Sequence, residues 1–449
     1  MRNLSRFPRL ARVATLVVSV SAILSAGSAL AAEHLYGGGS TFAAPAYVGT
    51  DYLNVTPNAR LSTNAGNNAG PGFTVSDITV GSLFDAFHTH YTHLTSYCQT
   101  GSGFGKNSLN GVSTALADGN CTDYSTSSVG LSAPTISPDF IGTDAPYSTA
   151  DYQAFEAGSQ LATHAGIIQI PTIAGAIALP NNETVGGVKL TNGQICRIYS
   201  GLINKWQSIP GVTGTGNKGS IPIVYRTDSS GTSFAFTRYL AATCNGTTNV
   251  PSGFVFTPNS TFASAIPGGL TAVYGTRAIG ASGNPGVVSA VLDAANPNAL
   301  GYADVSEVIA EGAPYAIVNN FDPTQFGLVS GVPTPMTIAV TSLFTGRVLD
   351  GATADPVPGS GSPTINDCVR LVDPALVLSH GYPIVAVTYL AGYYNGNGTL
   401  GHVNAIKNLF DLPYNHVNRP VLPQGYAYLD GSAPFASSVK ATVAACVNE

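Results

Sequence analysis

Arg226, Asp228, Ser230, Gly231 and Thr232 fall within seven residues, in the stretch RTDSSGTSFAFTRYL. The second half reads as an amphipathic helix, because Phe234, Phe236, Leu240 and Ala241 recur at helical spacing. The SSGTS run before it supplies N-cap residues and leaves backbone N–H groups pointing out of the helix start. Gly231 removes the Cβ that would keep a ligand off that backbone. A guanidinium beside such a helix start is chemistry suited to a small oxyanion. The plainer reading of the same residues is a Ser/Gly turn capping an ordinary helix.

Three more stretches combine glycine, hydroxyl and a following helix signal. GGGSTFAAPAY (residues 37–47) follows a short strand and places Thr41 to cap; GSGFGKNSLNG (101–111) offers Ser102; DFIGTDAPYSTADY (139–152) carries Asp144 just before a capping box, Ser148 to Asp151. GSGFGK is not a nucleotide phosphate loop, since Thr100 stands where a glycine is required and Asn107 follows the lysine.

The elements that must hold these residues alternate between strand-like and helix-like runs, which argues for an α/β fold. Ile167–Leu179 and Ile221–Tyr225 read as strands; Ile195–Ile203, Ala235–Thr243 and Val403–Phe410 read as helices. Thr56–Thr79 and Asp350–Ile365 read as loops or insertions. The chain opens with Arg2, Arg6, Arg9 and Arg12, then an apolar run from Val13 to Ala26 and the small residues Ala29 and Ala31. That is the pattern of a signal peptide over residues 1–31, with no cysteine at the cleavage site for a lipid anchor. The expected location is therefore periplasmic or secreted, with no membrane insertion.

Removing that segment takes the formal charge from −6 to about −10, which argues against nucleic acid or an anionic membrane as partner. A buried anion site remains open to such a chain, because it works through local dipoles and hydrogen bonds. With 44% hydrophobic and only 9% charged residues, disorder is excluded. About 420 residues suffice for two domains with their own cores. The six cysteines, Cys98, Cys121, Cys196, Cys244, Cys368 and Cys446, suit disulfides in an exported chain, with many connectivities open.

Taken in order, GGGSTFAAP, TGSGFGK, IGTDAPYS, IPTIAGAIALP, LTNGQICRIYSGLINKW, VYRTDSSGTSFAFTRYL, ALGYADV and YPIVAVTYLAGYY resemble the periplasmic phosphate-binding proteins of phosphate ABC transporters (PstS type). The likeness is greater to their exported, cysteine-containing DING subgroup. The resemblance implies a two-lobed periplasmic-binding-protein clamshell (type II-like), with the ligand in the interlobe cleft. It implies lobe one from residues 32–168 plus 319–449 and lobe two from 169–318. It further implies a phosphate ligand set: the Thr41 hydroxyl, the Phe42 N–H, Ser102, Asp144 as an acceptor, Arg226, Ser230, Gly231 through its N–H, and Thr232. Asp228 stands where the family has an acid that orients the arginine. With lobes so assigned, Cys196 pairs with Cys244, the two cysteines of lobe two, and Cys98–Cys121 and Cys368–Cys446 complete the set. Inorganic phosphate, with arsenate as its analogue, is the expected ligand; no cofactor or metal is expected, the chain is expected to be a monomer, and an ABC-transporter permease is the partner the family implies.

Two other functions compete. An exported phosphatase of the DING-like type would use the same anion site with a serine nucleophile, but the mature chain has no GxSxG elbow and no paired carboxylate/His clusters for two metals. The one histidine cluster, His88, His90 and His93, lies in an apparent insertion over 54–97 and reads as a solvated loop. A second apparent insertion covers 106–138. A surface or matrix protein that kept the clamshell for another purpose is the other alternative.

Overall fold

A computed structural model describes residues 32–66, 74–112, 138–182, 188–210, 212, 219–359, 363–376 and 381–449. The signal-peptide reading of residues 1–31 and the position of Cys121 lie outside these. Residues 32–449 form a compact unit. Its backbone is a nine-stranded mixed sheet. The strands are β1 (His34–Gly39), β2 (Leu61–Thr63), β3 (Val75–Asp77), β4 (Leu94–Cys98), β5 (Phe140–Thr143) and β6 (Ile167–Ala178). After β7 (Lys189–Leu190), β8 (Ile223–Arg226) and β9 (Ala278–Ala281), which lie outside it, the sheet resumes with β10 (Ala303–Asp304). A short β11 (Ile317–Val318) pairs with β7, and β12 (Val385–Tyr393) and β13 (Tyr426–Tyr428) complete the sheet.

The spatial order is β10-β6-β12-β5-β1-β4-β2-β3, with β13 also on β6. Pairs β1–β4, β1–β5 and β2–β3 are parallel, whereas β12 runs antiparallel to both β5 and β6. The long antiparallel β6–β12 pair is what makes the sheet mixed. All twelve residues of β6 are buried. That fits a strand covered on both faces, which is why IIQIPTIAGAIA shows no polar alternation.

The helices that matter here are α1 (Ala44–Tyr47), α2 (Leu83–Tyr91), α3 (Ser102–Asn110), α4 (Thr149–Ala157), α5 (Asn192–Tyr199) and α6 (Gly231–Cys244). Two short helices, α7 (Phe262–Ala265) and α8 (Leu270–Tyr274), precede β9, and α9 (Gly283–Leu292) and α10 (Val305–Ala310) flank β10. The capping box read at Ser148 and Asp151 opens α4. Among the described residues, no helix is long and apolar enough to cross a membrane.

Two expectations are corrected and one is refined. The HTHYTH run is not a solvated loop: His88 and His90 belong to α2, whose Leu83, Phe84 and Phe87 are buried. The imidazoles of His88 and His93 are engaged locally, with the His93 carbonyl and the Glu33 N–H. Residues 54–97, read as an apparent insertion, are built into the main sheet, to which they supply β2, β3 and most of β4. The loop read over 350–365 contains a hairpin, Arg347–Asp350 with Thr353–Pro356.

Cys196–Cys244 joins α5 to α6, and Cys368–Cys446 ties down the C-terminal helix Ala433–Cys446. Cys98 is also disulfide-bonded, while its expected partner, Cys121, is outside the described residues. Such bonds fit an extracytoplasmic location.

Candidate functional site

Strand β8 ends on Arg226, and the turn after it leads into α6. Ser230 is the N-cap; its Oγ accepts from the Ser233 N–H at 3.1 Å. The first-turn N–H groups of Gly231 and Thr232 have no intrahelical acceptor. Arg226 is 1% exposed. Its Nε donates to Asp228 Oδ1 at 2.7 Å, its Nη2 pairs with Asp228 Oδ2, and its Nη1 donates to Asn284 Oδ1 at 2.8 Å. Burial alone would lower the arginine's pKa, but Asp228 more than offsets that and the value is raised. Burial would likewise raise the Asp228 pKa, and Arg226 holds it below the ordinary carboxylate range. Asp228 thus orients the arginine.

On the opposite side, Asp144 follows β5 and is 3% exposed. The Ser40 hydroxyl donates to its carboxylate, 2.6 and 2.7 Å from the two oxygens. Thr388 donates at 3.1 Å and Ser102 at 3.5 Å, and the Asp144 N–H donates to Ser102 Oγ at 3.2 Å. Burial raises the carboxyl pKa to about 6, against the Ser40 and Thr388 hydrogen bonds and the Arg226 charge, which act to lower it. A carboxylate has about four lone-pair sites, so these hydroxyls leave room for a ligand proton.

The two sides meet at Gly231. A Cβ there would lie 2.4 Å from Ser102 Oγ and 2.6 Å from Asp144 Oδ2, so only glycine permits this approach. The start of α3 packs on the same turn: the Gly103 N–H donates to the Ser229 carbonyl at 3.0 Å. Gly101 before it adopts φ +86°, with Asp228 Oδ2 where a Cβ would project. Thr41 joins through α9, whose Asn284 N–H donates to Thr41 Oγ1 at 3.3 Å.

Ser102, Asp144 and Gly231 are thus brought into one contact, and Arg226, Asp228 and Thr232 into another. Thr41 is linked to the second through Asn284. Two details differ from expectation. Ser40, not Thr41, serves the start of the 44–47 turn, because its Oγ accepts from the Phe42 and Ala43 N–H groups at 3.0 and 3.3 Å. The Phe42 N–H is therefore already hydrogen-bonded.

Sequence reasoning missed Ser40, Asn284, Thr388 and Asp304. Asn284 Oδ1 meets Arg226 and Thr232, and its Nδ2 donates to the buried Asp304 at 3.0 Å. A signal for it existed: ASGNPG (residues 281–286) repeats the glycine-and-hydroxyl pattern before a helix, with a proline in the first turn. Thr388 had none, being one hydroxyl inside an apolar strand.

The starts of α3, α6 and α9, one buried guanidinium and one acceptor thus converge. Helix starts and Arg226 attract an oxyanion, and Asp144 demands that it carry a proton.

A family model described as a PBP superfamily domain matches residues 58–359. The chain belongs to the PBP superfamily. Relatives of this superfamily member include alkaline phosphatase L of Pseudomonas aeruginosa strain UCBPP-PA14, 32% identical over 232 residues, which cover 50% of this chain and 54% of that protein. A phosphate-binding protein of an unknown prokaryotic organism is 38% identical over 144 residues, 30% of this chain and 36% of that protein. The matches thus span about half or less of these curated relatives. Among solved structures, a human phosphate binding apolipoprotein aligns with TM-score 0.58 at 22% identity, over 91% of this chain and 93% of that one. A phosphate binding protein from Stenotrophomonas maltophilia aligns with TM-score 0.57 at 20% identity, over 91% and 94%. The α/β fold is therefore that of these two-lobed binding proteins.

Proposed function

We propose that this chain is an exported solute-binding protein that captures inorganic phosphate, and arsenate as its analogue, in a cleft between two lobes. The lobes are residues 32–168 with 319–449, and 169–318, with the chain crossing between them near 168–173 and again near 310–318. Phosphate is held by Thr41, Ser102 and Asp144 from one side and by Arg226, Ser230, Gly231 and Thr232 from the other; the Phe42 N–H joins them only by leaving the Ser40 hydroxyl to which it is bonded. The observation that carries this reading is Asp144. A buried carboxyl beside three helix starts and an arginine makes sense for an anion that keeps a proton near neutral pH, as phosphate does and sulfate does not. The names of the relatives support the same ligand. Hydrogen bonds to a charged group contribute about 1.5–3 kcal/mol each, so this donor set offsets the desolvation of a dianion when organised in advance.

Calorimetry of residues 32–449 against phosphate, arsenate and sulfate tests it. Tight binding of the first two and rejection of sulfate is the expected result; equal binding of sulfate refutes it. A phosphatase using this site is the second reading, favoured by the relatives named alkaline phosphatase L. Ser230 is its nucleophile candidate, yet its Oγ caps α6, accepting from the Ser233 N–H. Release of 4-nitrophenol from its phosphate ester, abolished by Ser230→Ala, establishes that reading. Export to the periplasm or beyond, with a permease as partner, completes the proposal and is tested by fractionating cells that express the full chain.

A further inference from the structure

A cavity of about 520 Å³ opens from Asp144 along α6. Its walls include Phe234, Arg238 and Tyr239 from α6 and Val387 and Tyr389 from β12. This volume is in the range of small-molecule sites, and Asp144 is the one proposed phosphate ligand that lines it. The walls mix apolar and aromatic side chains with the polar Asn192 and Thr243 and the charged Asp144, Asp373 and Arg238.

Arg238 is the feature that points to a ligand. It is half-buried, and burial lowers its pKa. Its guanidinium reaches the Pro374 carbonyl only at 3.5 Å. Among the described residues it makes no ion pair, although the Asp373 carboxylate lines the same cavity and accepts from the Ala375 N–H at 2.8 Å. A desolvated guanidinium without a carboxylate is a costly arrangement unless an anion completes it. Position matters as well. Arg238 is seven residues past Gly231, about 10 Å along the helix axis at 1.5 Å per residue. Helical side chains lean toward the N-terminus, a direction that favours the anion-site end of α6 for Arg238.

We propose that this cavity is the subsite for the organic arm of a phosphorus oxyanion, with Arg238 binding a carboxylate at the arm's far end. The inference rests on the phosphate reading. The phosphoryl group occupies the buried site, and its substituent leaves past Asp144. A short alkyl or aryl spacer runs between Phe234 and Tyr389. Carboxyalkyl phosphates and phosphonates are the ligand class.

The test uses 4-phosphonobutyrate, whose C–P bond resists hydrolysis, beside propylphosphonate, which lacks the carboxylate, and inorganic phosphate. Wild-type residues 32–449 should bind 4-phosphonobutyrate at least about ten-fold more tightly than propylphosphonate. Arg238→Ala should erase that preference while phosphate affinity stays within about two-fold. Arg238→Lys should keep part of the preference, which separates loss of charge from loss of folding; thermal melts confirm the fold. Equal affinity of the two phosphonates overturns the subsite, and so does an equal weakening of phosphate by Arg238→Ala. Phosphate binding without phosphonate binding overturns the subsite alone. Arg238-dependent binding of 4-phosphonobutyrate without phosphate binding sustains the subsite and refutes the inorganic-phosphate reading. Binding of none of the three removes both.

Discussion

Asn284 Nδ2 donates to Asp304 Oδ2 at 3.0 Å, and this fixes the amide so that its Oδ1 faces Arg226. Asp304 is fully buried, and burial raises its pKa to about 6. Glu307 behind it is pushed well above its ordinary value, first by burial and then by Asp304. Burial and mutual repulsion thus favour a proton on Glu307, while Asp304 accepts from Asn284. Arg226 is thus oriented from two sides, by Asp228 directly and by Asp304 through an amide.

Asn284→Ala leaves Arg226 Nη1 and a buried carboxylate each short of a partner. Unmade buried hydrogen bonds of this kind cost about 1–3 kcal/mol. Phosphate affinity should fall about ten-fold or more, with a lowered melting temperature, by calorimetry and thermal denaturation. Unchanged affinity would show that Asp228 alone orients the guanidinium.

Gly231→Ala tests the approach of the two sides. The added Cβ would sit 2.8 Å from Asp144 Cβ, which cannot rotate away as Ser102 Oγ can. The segments must separate, so phosphate affinity should drop by about a hundred-fold or more, a little under 3 kcal/mol. The melting temperature should change little, since the strain is relieved by opening and the cores are untouched. A wild-type affinity would mean that ligand binding does not need this contact.

How far the site was legible before the structure depends on what each residue signals locally. Arg226 to Thr232 stood out because a cation, hydroxyls and a glycine crowd one helix start. Asp144 and Ser102 came through their own glycine-rich turns. Ser40 was passed over for its neighbour Thr41, since either hydroxyl can serve that turn and only the backbone angles decide between them. Asn284 and Thr388 are meaningful only through partners 58 and 244 residues away, and local patterns do not carry such distances. The same holds for the sheet. The apolar run of β6 was readable as a strand, whereas its antiparallel pairing with β12 was not.

Asp144 also makes a prediction about stability without ligand. Its carboxyl titrates near pH 6 in the folded chain, because burial disfavours the charge, against an ordinary 3.8. Between these values the folded protein holds a proton that the unfolded chain has released, so this group's contribution falls as pH rises through the window. The loss is on the order of 3 kcal/mol. The amide introduced by Asp144→Asn does not titrate. The melting temperature of Asp144→Asn relative to wild type should therefore shift in the variant's favour from pH 4 to pH 7 in phosphate-free buffer. A pH-independent difference between the two proteins would place the carboxyl pKa at its ordinary value.

The same residue governs selectivity. An ionised Asp144 accepts the proton of hydrogen phosphate, whereas sulfate offers none and would set two acceptors against each other in a buried site. A buried charge left unpaired costs about 3–5 kcal/mol, or roughly two to four decades in affinity. In buffer two or more pH units above the Asp144 pKa of about 6, where the carboxylate stays ionised, sulfate should be rejected by that margin, and arsenate, with phosphate's protonation pattern and nearly its shape, should not. In Asp144→Asn an amide NH₂ can turn toward a fully ionised anion, so the phosphate-to-sulfate ratio should narrow by two decades or more. Ser40, Thr388 and Ser102 remain to orient that amide. Arg226→Ala removes charge that both anions use, so it should weaken both and leave the ratio near the wild-type value. Titrating the three proteins with both anions separates the roles: a ratio unchanged by Asp144→Asn would mean that Asp144 only braces the hydroxyls around it, and a ratio altered by Arg226→Ala would mean that the arginine, too, reads the ligand's proton.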